Sequence, residues 1–567
     1  MNQWVGILTR QDGVYLKYGQ LNDNGWGSFS FPRFNAYYRV ENRFKNDQLF
    51  RKDEKSVLFH DGIVLNLSEL KKEIAANSIE EIISKLGIER FIGKIIGPNC
   101  GIYYEADSNE LIAYTNQTGD APIFYYKDHS FLIVSNDFNL IYNLLVINKI
   151  PYELNENAAI ALMSYGYMID DSTMIKSVKR ISAGYYLKFN DNSYEMVEYH
   201  HFRFEDSPIT YDDAIECLDD LFTKAVKRCF EKDREYDTKF HLADMSGGMD
   251  SRMTNWVAHE LGYHDVVNIN YCQSGSDELK CASKASSVLK NQFLHKQLDD
   301  HSFIYEIDDI IDMNYGLAVY FGITGGRQLL SQTNRDLFGL EHSGQLGDVV
   351  VGNYGNTERH VPVQQNSFRY SALIDFSVPQ EILNQYHNNE EFGFYCRGFK
   401  GILSSHLLRR HYYYTVSPFL DPELMSFCFS IPMKYRFQQK LYWDWVDKKH
   451  EEAGRVISTR KRPQNPYKQF CSKVLRRSKS IYKRTARHLH LVRSANEDNL
   501  MNPFDYWWET DSYFRDFVKE YYSKNINRAE QYPIVKTNVD KLYYSKRVVD
   551  KLLAINTLGV LKRYFEK

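Results

Sequence analysis

The chain has 567 residues, room for two to four domains with sizeable cores. Lys+Arg total 70 against Asp+Glu 73, a net charge of −3, so bulk charge points to no polyanionic partner such as nucleic acid. The eight cysteines are scattered without a C-x-x-C pair, which argues against a secreted disulfide framework and reads as free thiols in a reducing cytoplasm.

The start, Met1 to Leu8, lacks the basic residues and long apolar stretch of a signal peptide. No window approaches about 18 uninterrupted apolar residues, so no membrane span is expected. Residues 1 to about 200 read as an antiparallel, β-rich unit with a few helices. Short apolar runs (Trp4–Leu8, Ser56–Phe59, Cys100–Tyr104, Leu111–Tyr114, Pro122–Tyr126) alternate with turn signals such as Asp61-Gly62 and Gly119-Asp120. Ser68–Ile74 and Ile79–Leu86 read as helices, the first with Ser68 as N-cap. Thr210–Arg234 reads as an amphipathic helix, with Ala214, Leu218, Leu221, Phe222 and Val226 at helical spacing.

A short run that can be a buried strand then ends in Ser246-Gly247-Gly248-Met249-Asp250-Ser251, followed by a helix-compatible segment closed by Gly262. A strand, a glycine loop and a helix N-terminus present backbone N–H groups to an anion. Gly247 and Gly248 tolerate φ > 0 and close approach of a phosphate, and Ser246 and Ser251 add hydroxyl donors. Asp250 repels phosphate unless a divalent cation lies between them. The loop therefore reads as a Mg²⁺-pyrophosphate cradle, although a glycine-serine turn before a helix is also an ordinary feature. Beyond it, Val266–Tyr271 (strand), Glu278–Leu289 (helix), Ser302 onward, and Asp336–Glu341 (strand) alternate as in a parallel sheet covered on both faces. Ligands of such sheets sit at the carboxyl ends of the strands. From about Leu403 the pattern is mostly helical, ending in Tyr543–Phe565, which is expected to pack on the sheet domain.

The order Ser-Gly-Gly-x-Asp-Ser resembles the PP-loop signature of enzymes that cleave ATP between the α- and β-phosphates, and it lacks the Walker A order. Two further blocks extend the likeness to the asparagine synthetase family. Glu341-His342-Ser343-Gly344-Gln345-Leu346-Gly347-Asp348-Val349 resembles that family's S-G-E-G-A-D-E loop, with Gln345 for Glu and Val349 for the last Glu. Thr415-Val416-Ser417-Pro418-Phe419-Leu420-Asp421 resembles its E-V-R-x-P-F-L-D segment. Here Tyr414 and Ser417 replace a Glu and an Arg on the acceptor-substrate side, which argues against free aspartate as substrate.

Phe59 to Leu70, Gly97 to Tyr104 and Thr118 to Tyr126 resemble the family's N-terminal glutaminase, an Ntn-hydrolase domain. That chemistry needs a cysteine directly after the initiator Met. Position 2 is Asn2, the first cysteine is Cys100, and the family's amine-holding acid falls in the blurred segment Asn77–Glu81. The resemblance therefore implies a remnant that does not hydrolyse glutamine.

The implied fold class is mixed α/β and α+β. An Ntn-hydrolase-like αββα sandwich (residues 1–200) precedes a PP-loop parallel-sheet synthetase domain with a helical C-terminal part (residues 208–567). The implied activity is an ATP- and Mg²⁺-dependent, AMP-forming amide synthetase. In it Asp250 and Asp348 are catalytic and share the metal. Met245, Ser246, Gly247, Gly248, Ser251, Tyr271, Ser343 and Gly344 bind the nucleotide and pyrophosphate. Lys461, with Lys440 second, stabilises charge on the intermediate. The partners would be a small-molecule, sugar or peptide carboxylate and an amine or ammonia, as in family members without the cysteine such as β-lactam and lasso-peptide macrolactam synthetases. A homodimer is one assembly left open. Two rival readings stand beside this one. The first is a PP-loop enzyme acting on nucleic acid or a carrier-bound substrate, for which the basic Ser472–Arg493 segment is the support. The second is a relic that has lost catalysis at Gln345 and Val349.

Overall fold

The computed structural model describes residues 2–10, 16–22, 25–41, 43–191, 193–236, 238–321, 326–355, 358–459 and 500–566. Two six-stranded antiparallel sheets occupy the first part of the chain. The first runs, edge to edge, Val178–Arg180, Phe124–Lys127, Phe131–Ser135, Gln3–Thr9, Phe34–Arg39 and Gly27–Ser30. The second runs Tyr194–Glu198, Tyr185–Phe189, Glu110–Thr115, Asn99–Glu105, Ser56–Gly62 and Leu49–Lys52.

The period-2 alternation of these strands builds the layers. On Gln3–Thr9, Trp4 and Leu8 enter the core between the sheets, while Val5 and Ile7 face helices Phe138–Ile147 and Glu156–Tyr165 on the outside. On Glu110–Thr115, Leu111 and Ala113 enter the intersheet core. Ile112 and Tyr114 meet helices Leu67–Ile74, Ile79–Leu86 and Ile88–Lys94 on the other outside. Gly6 lets the sheets close: a methyl there would lie 2.9 Å from Ile102 Cδ1 and 3.0 Å from Phe34 Cζ.

Ser68 is not the N-cap of its helix. The cap is Asn66, and Ser68 Oγ donates to Glu235 Oε1 at 2.8 Å. In the Asn77–Glu81 segment Ser78 caps the helix by accepting the Glu81 N–H, Glu81 accepts the Asn77 N–H just ahead of the cap, and Glu80 pairs with Arg51.

After helix Tyr211–Arg234, capped by Thr210, five parallel strands form the third sheet. Their spatial order is Gln292–Gln297, Val266–Cys272, Phe240–Asp244, Phe338–His342, Thr415–Val416. Succession in the sequence reverses between Phe240–Asp244 and Phe338–His342, so the loops leaving these neighbours diverge and open a crevice at their carboxyl ends. The fifth strand is only two residues long and lies inside the region whose pattern reads as helical.

One buried carboxylate pins a helix to this sheet. His241 Nδ1 and His342 Nε2 lie 2.8 and 2.7 Å from Asp233 Oδ2, and Asp233 Oδ1 accepts the Leu340 N–H at 2.7 Å. The expected C-terminal helix runs Val548–Tyr564, starting five residues later than the pattern suggests, and a separate helix, Pro533–Tyr543, precedes it. The last is buried almost all round. It packs in one core with Ile307, Ile310 and Ile311, and also with Ala159 and Leu162 of the antiparallel part, so its packing is not confined to the parallel-sheet region.

Among the described residues no helix is long and apolar enough to cross a membrane. The seven described cysteines are free.

Candidate active site

The chain leaves strand Phe240–Asp244, turns through Met245 to Met249 and enters helix Asp250–Glu260. The turn is held by its own hydroxyls. Ser246 N–H donates to Ser251 Oγ at 2.9 Å, the two hydroxyls lie 2.8 Å apart, and Gly248 N–H donates to Ser246 Oγ at 3.2 Å. Gly247 N–H donates to Glu278 Oε1 at 2.8 Å. One main-chain N–H of the loop is thus already on a carboxylate oxygen, an anion at the start of a helix.

Neither Gly247 nor Gly248 adopts positive φ, contrary to the expectation from sequence. Glycine at 247 serves close approach instead. A methyl there would lie 2.5 Å from Thr459 Cγ2 and 2.8 Å from Glu278 Oε2. On the far side, Thr459 N–H and Ser458 Oγ both donate to Gly247 O at 3.0 Å. Arg252 is fully buried and donates to the carbonyls of Ala453, Val456 and Ile457, fixing this strap on the helix that follows the loop.

The second loop, after strand Phe338–His342, lies against the first. A side chain on Gly344 would run into the Ser251 amide nitrogen, and one on Gly347 would lie 2.7 Å from Cβ and Cγ of Asp250. Ser343 N–H donates to Val416 O at 2.8 Å, and its carbonyl accepts from Thr254 Oγ1 at 3.4 Å. Leu346 holds the turn at φ 62°, a left-handed conformation uncommon for a leucine. Asp348 is half-buried at the start of the π-turn Val349–Asn353, with Oδ2 accepting from Asn353 Nδ2 at 3.0 Å. Asp250 and Asp348 therefore belong to facing loops of neighbouring strands. Gln345 donates to Ser405 Oγ at 2.8 Å, Ser417 Oγ donates to Gln345 O at 3.0 Å, and Val349 is core.

Below the loops lies a charged cluster that the sequence reading did not single out. Arg409 is buried. It donates to Asp244 Oδ2 at 2.9 Å and to Tyr271 Oη at 2.6 Å, and pairs with Glu341 Oε1. Thr415 Oγ1 donates to Glu341 Oε2 at 2.8 Å. Burial pushes the Glu341 carboxyl up to about 7, with Arg409 opposing and Asp244 reinforcing the shift. Burial likewise pushes the Tyr271 phenol up to about 12. Tyr271, placed in the nucleotide pocket by resemblance, thus has its hydroxyl on Arg409. The Met245 main chain is committed to Ile269 O (2.9 Å) and Asn270 Nδ2 (2.8 Å). The sequence signal for this cluster is a pair of acidic residues, Asp244 and Glu341, near the carboxyl ends of two short strands. Arg409 belongs to a helix without a motif.

Lys461 lies outside the described residues, as does the Ser472–Arg493 segment. Lys440 is exposed with its ammonium 5.0 Å from the Tyr211 ring centroid, and the structure does not bring it to the loops through any described contact.

A different cluster occupies the end of the antiparallel sandwich, around Asn2. Asn2, Asp61 and Asn136 are all buried. Asn2 Nδ2 donates to Asp61 Oδ1 at 2.6 Å, and Asn136 Nδ2 to Asp61 Oδ2 at 3.0 Å. Tyr414 Oη donates to Asp61 Oδ1 at 3.0 Å. Tyr414, read from sequence as an acceptor-side residue, thus has its hydroxyl on a carboxylate of the antiparallel half. Burial raises the Asp61 carboxyl and pushes the neighbouring Cys100 thiol well above its ordinary value, away from the thiolate form.

No family model matches the chain. A protein of Methanocaldococcus jannaschii named "Putative asparagine synthetase (glutamine-hydrolyzing) 1" is 22% identical over 421 residues, 70% of this chain and 69% of that protein. Among solved structures, a Bacillus subtilis glutamine phosphoribosylpyrophosphate amidotransferase complexed with ADP and GMP aligns at TM-score 0.23. The identity is 12%, over 42% of this chain and 54% of that one, little more than half its length. The NMN synthetase of Francisella tularensis aligns at TM-score 0.19 and 11% identity, over 44% of this chain and 99% of that one. Structural scores this low carry no argument about function.

Proposed function

We propose that this chain is an ATP-dependent amide-bond synthetase that forms AMP and pyrophosphate. It adenylates a carboxylate and passes the acyl group to ammonia or an amine without glutamine hydrolysis of its own. The observation that carries the reading is the pair of interlocked glycine loops at the point where the parallel sheet reverses its order, one of them already holding a carboxylate on a backbone N–H. The name of the archaeal relative supports the same class.

The donor set fits ATP and Mg²⁺: main-chain N–H groups and two serine hydroxyls for the pyrophosphate, and two carboxylates, Asp250 and Asp348, for the ion. Magnesium, when bound there, supplies charge neutralisation for the departing pyrophosphate. This chain's residues bind and orient. Ser246 and Ser251 present hydroxyls, Gly344 and Gly347 keep the loops in contact, and Lys461, two residues beyond the strap that grips Gly247, is the proposed cation for the acyl transfer. Met245, Tyr271, Ser343 and Gly344 are the proposed nucleoside side of the pocket. The proposed organisation is an Ntn-hydrolase-like sandwich, residues 1–200, whose nucleophile position is filled by Asn2, followed by the synthetase domain, 208–567. The Asn2–Asp61–Asn136–Tyr414 cluster supports an amine source other than internal glutamine hydrolysis.

The test is exchange of labelled pyrophosphate into ATP across a panel of carboxylates. Exchange that depends on one carboxylate, and falls about 100-fold or more in Asp250→Asn, is expected. ATP–Mg²⁺ that fails to bind the wild type would instead favour the relic reading.

A further inference from the structure

A cavity of about 330 Å³ lies between the antiparallel half and the segment 385–400, remote in sequence from both glycine loops. Arg180, Asp171, Glu198, His201, Tyr395 and Lys400 contribute to its wall. At its rim, three side chains from two separate segments converge. His201 Nε2 lies 2.8 Å from Glu391 Oε1, and His387 Nδ1 lies 3.1 Å from Glu391 Oε2 and 3.5 Å from Oε1. The three donor atoms all fall within 4.8 Å of one another. We propose that His201, His387 and Glu391 form a binding site for a divalent first-row metal ion of the zinc class. This site is separate from the nucleotide loops and independent of the function proposed above.

Three features distinguish this arrangement from a chance ion pair. The first is the donor set: two imidazoles and a carboxylate suit borderline cations, and three protein ligands leave a fourth tetrahedral position open. The second is spacing. Bonds of about 2.0–2.2 Å to a tetrahedral ion put donors roughly 3.3–3.5 Å apart. The two His–Glu391 separations of 2.8 to 3.5 Å therefore need only a small outward movement, with all three donors within 4.8 Å. The third is the support around the ligands. His201 Nδ1 is held by Glu198 Oε1 at 2.9 Å, the second carboxylate that fixes the ring of a metal-bound histidine. The Tyr395 ring stacks on the same imidazole, with centroids 5.2 Å apart and planes at 17°. Glu391 is 2% exposed and its Oε2 accepts the His387 N–H at 2.7 Å, whereas His387 is 82% exposed. An ion therefore has a rigid, buried carboxylate on one side and an open route past His387 on the other.

The second His/Asp group, Asp233 with His241 and His342, lacks this character. It is fully enclosed, and both imidazoles already share one carboxylate oxygen, so it serves as a brace.

Titration of the full chain with Co²⁺ tests the site. It is done without nucleotide and in the Asp250→Asn variant, so that the glycine loops do not compete for the ion. One ion per chain is expected, with the visible absorption of four-coordinate Co²⁺, and one equivalent of Zn²⁺ should displace it. His387→Ala, a change at an exposed side chain, should weaken binding by more than the loss of an outer partner does, while leaving the thermal midpoint in place. Glu198→Gln, which removes only the outer partner, should weaken it about 10–100-fold. Absence of saturable one-to-one binding, or less than a tenfold loss in His387→Ala, overturns the proposal.

Discussion

Two polar clusters flank the helix Ser405–Arg409, and its neighbouring arginines go to different ones. Arg409 enters the Asp244–Glu341–Tyr271 cluster beneath the glycine loops, while Arg410 donates to Asn136 O at 3.0 Å and Tyr315 Oη at 2.6 Å beside the Asn2–Asp61 cluster. The Asn2–Asp61 cluster is a closed lock. The buried carboxylate has side-chain donors on both oxygens, from Asn2, Asn136 and Tyr414, and no nucleophile remains among them. In the other, the loop above the cluster keeps a carboxylate on its backbone that a ligand could displace. The difference separates a buried network that only stabilises from one that leaves donors to a ligand: what matters is whether the anion is fixed from all sides or held at one N–H.

The largest effect expected from breaking this contrast is at Arg409. Replacement by Met leaves the buried Glu341 and the half-buried Asp244 without their cation, a loss of about 3–5 kcal/mol in urea unfolding. The pH dependence sharpens the point. The Glu341 carboxyl is raised in the folded state from its ordinary 4.5 to about 7. Its contribution is therefore fully present below about pH 4.5 and is lost as pH rises through about 7. Glu341→Gln should flatten stability across that window, and an unchanged pH profile would contradict the assignment.

Glu278→Ala comes next. Removing the carboxylate that occupies Gly247 N–H should lower the KM for ATP about three- to tenfold, the equivalent of roughly 1 kcal/mol for one displaced hydrogen bond. A raised KM would show that Glu278 supports the loop and does not compete for it.

On the closed side the effects are smaller. Tyr414→Phe removes one of several donors to Asp61 and should cost about 0.5–1.5 kcal/mol in the same unfolding assay. Asn2→Cys should confer no glutamine hydrolysis above background. Ammonia release from that variant would break the contrast, because it would show that a thiol at position 2 finds a working site despite Asp61, Asn136 and Tyr414.

Much of the site was legible because the motifs are local. Ser246 to Ser251 and Ser343 to Asp348 are contiguous runs whose glycines and hydroxyls announce a turn, and each follows an apolar stretch that reads as a strand. Helix Tyr211–Arg234 followed directly from periodicity, while the structure makes Thr210 its cap and not its first residue. Glu278, Arg252 and Arg409 were not legible as site residues, because each acts on a partner 31 to 205 residues away and sits in an ordinary helix. The partner of Tyr414 was not legible for the same reason. The tyrosine's position in the chain puts it just before the fifth strand, but only the packing of the two halves turns its hydroxyl toward Asp61, 353 residues distant.

By itself the sequence determined the alternation around the two glycine loops, the loops themselves and the absence of a cysteine at position 2, but not the strands Gln292–Gln297 and Thr415–Val416. Hydrophobic period, glycine placement and residue identity are properties of short segments. Tertiary structure decided which anion the first loop holds, which carboxylates share Arg409, and what fills the space around Asn2. These are contacts between distant segments, and burial sets their energies: it makes an unpaired charge costly and leaves each buried carboxylate to be satisfied by whatever donor the fold carries to it.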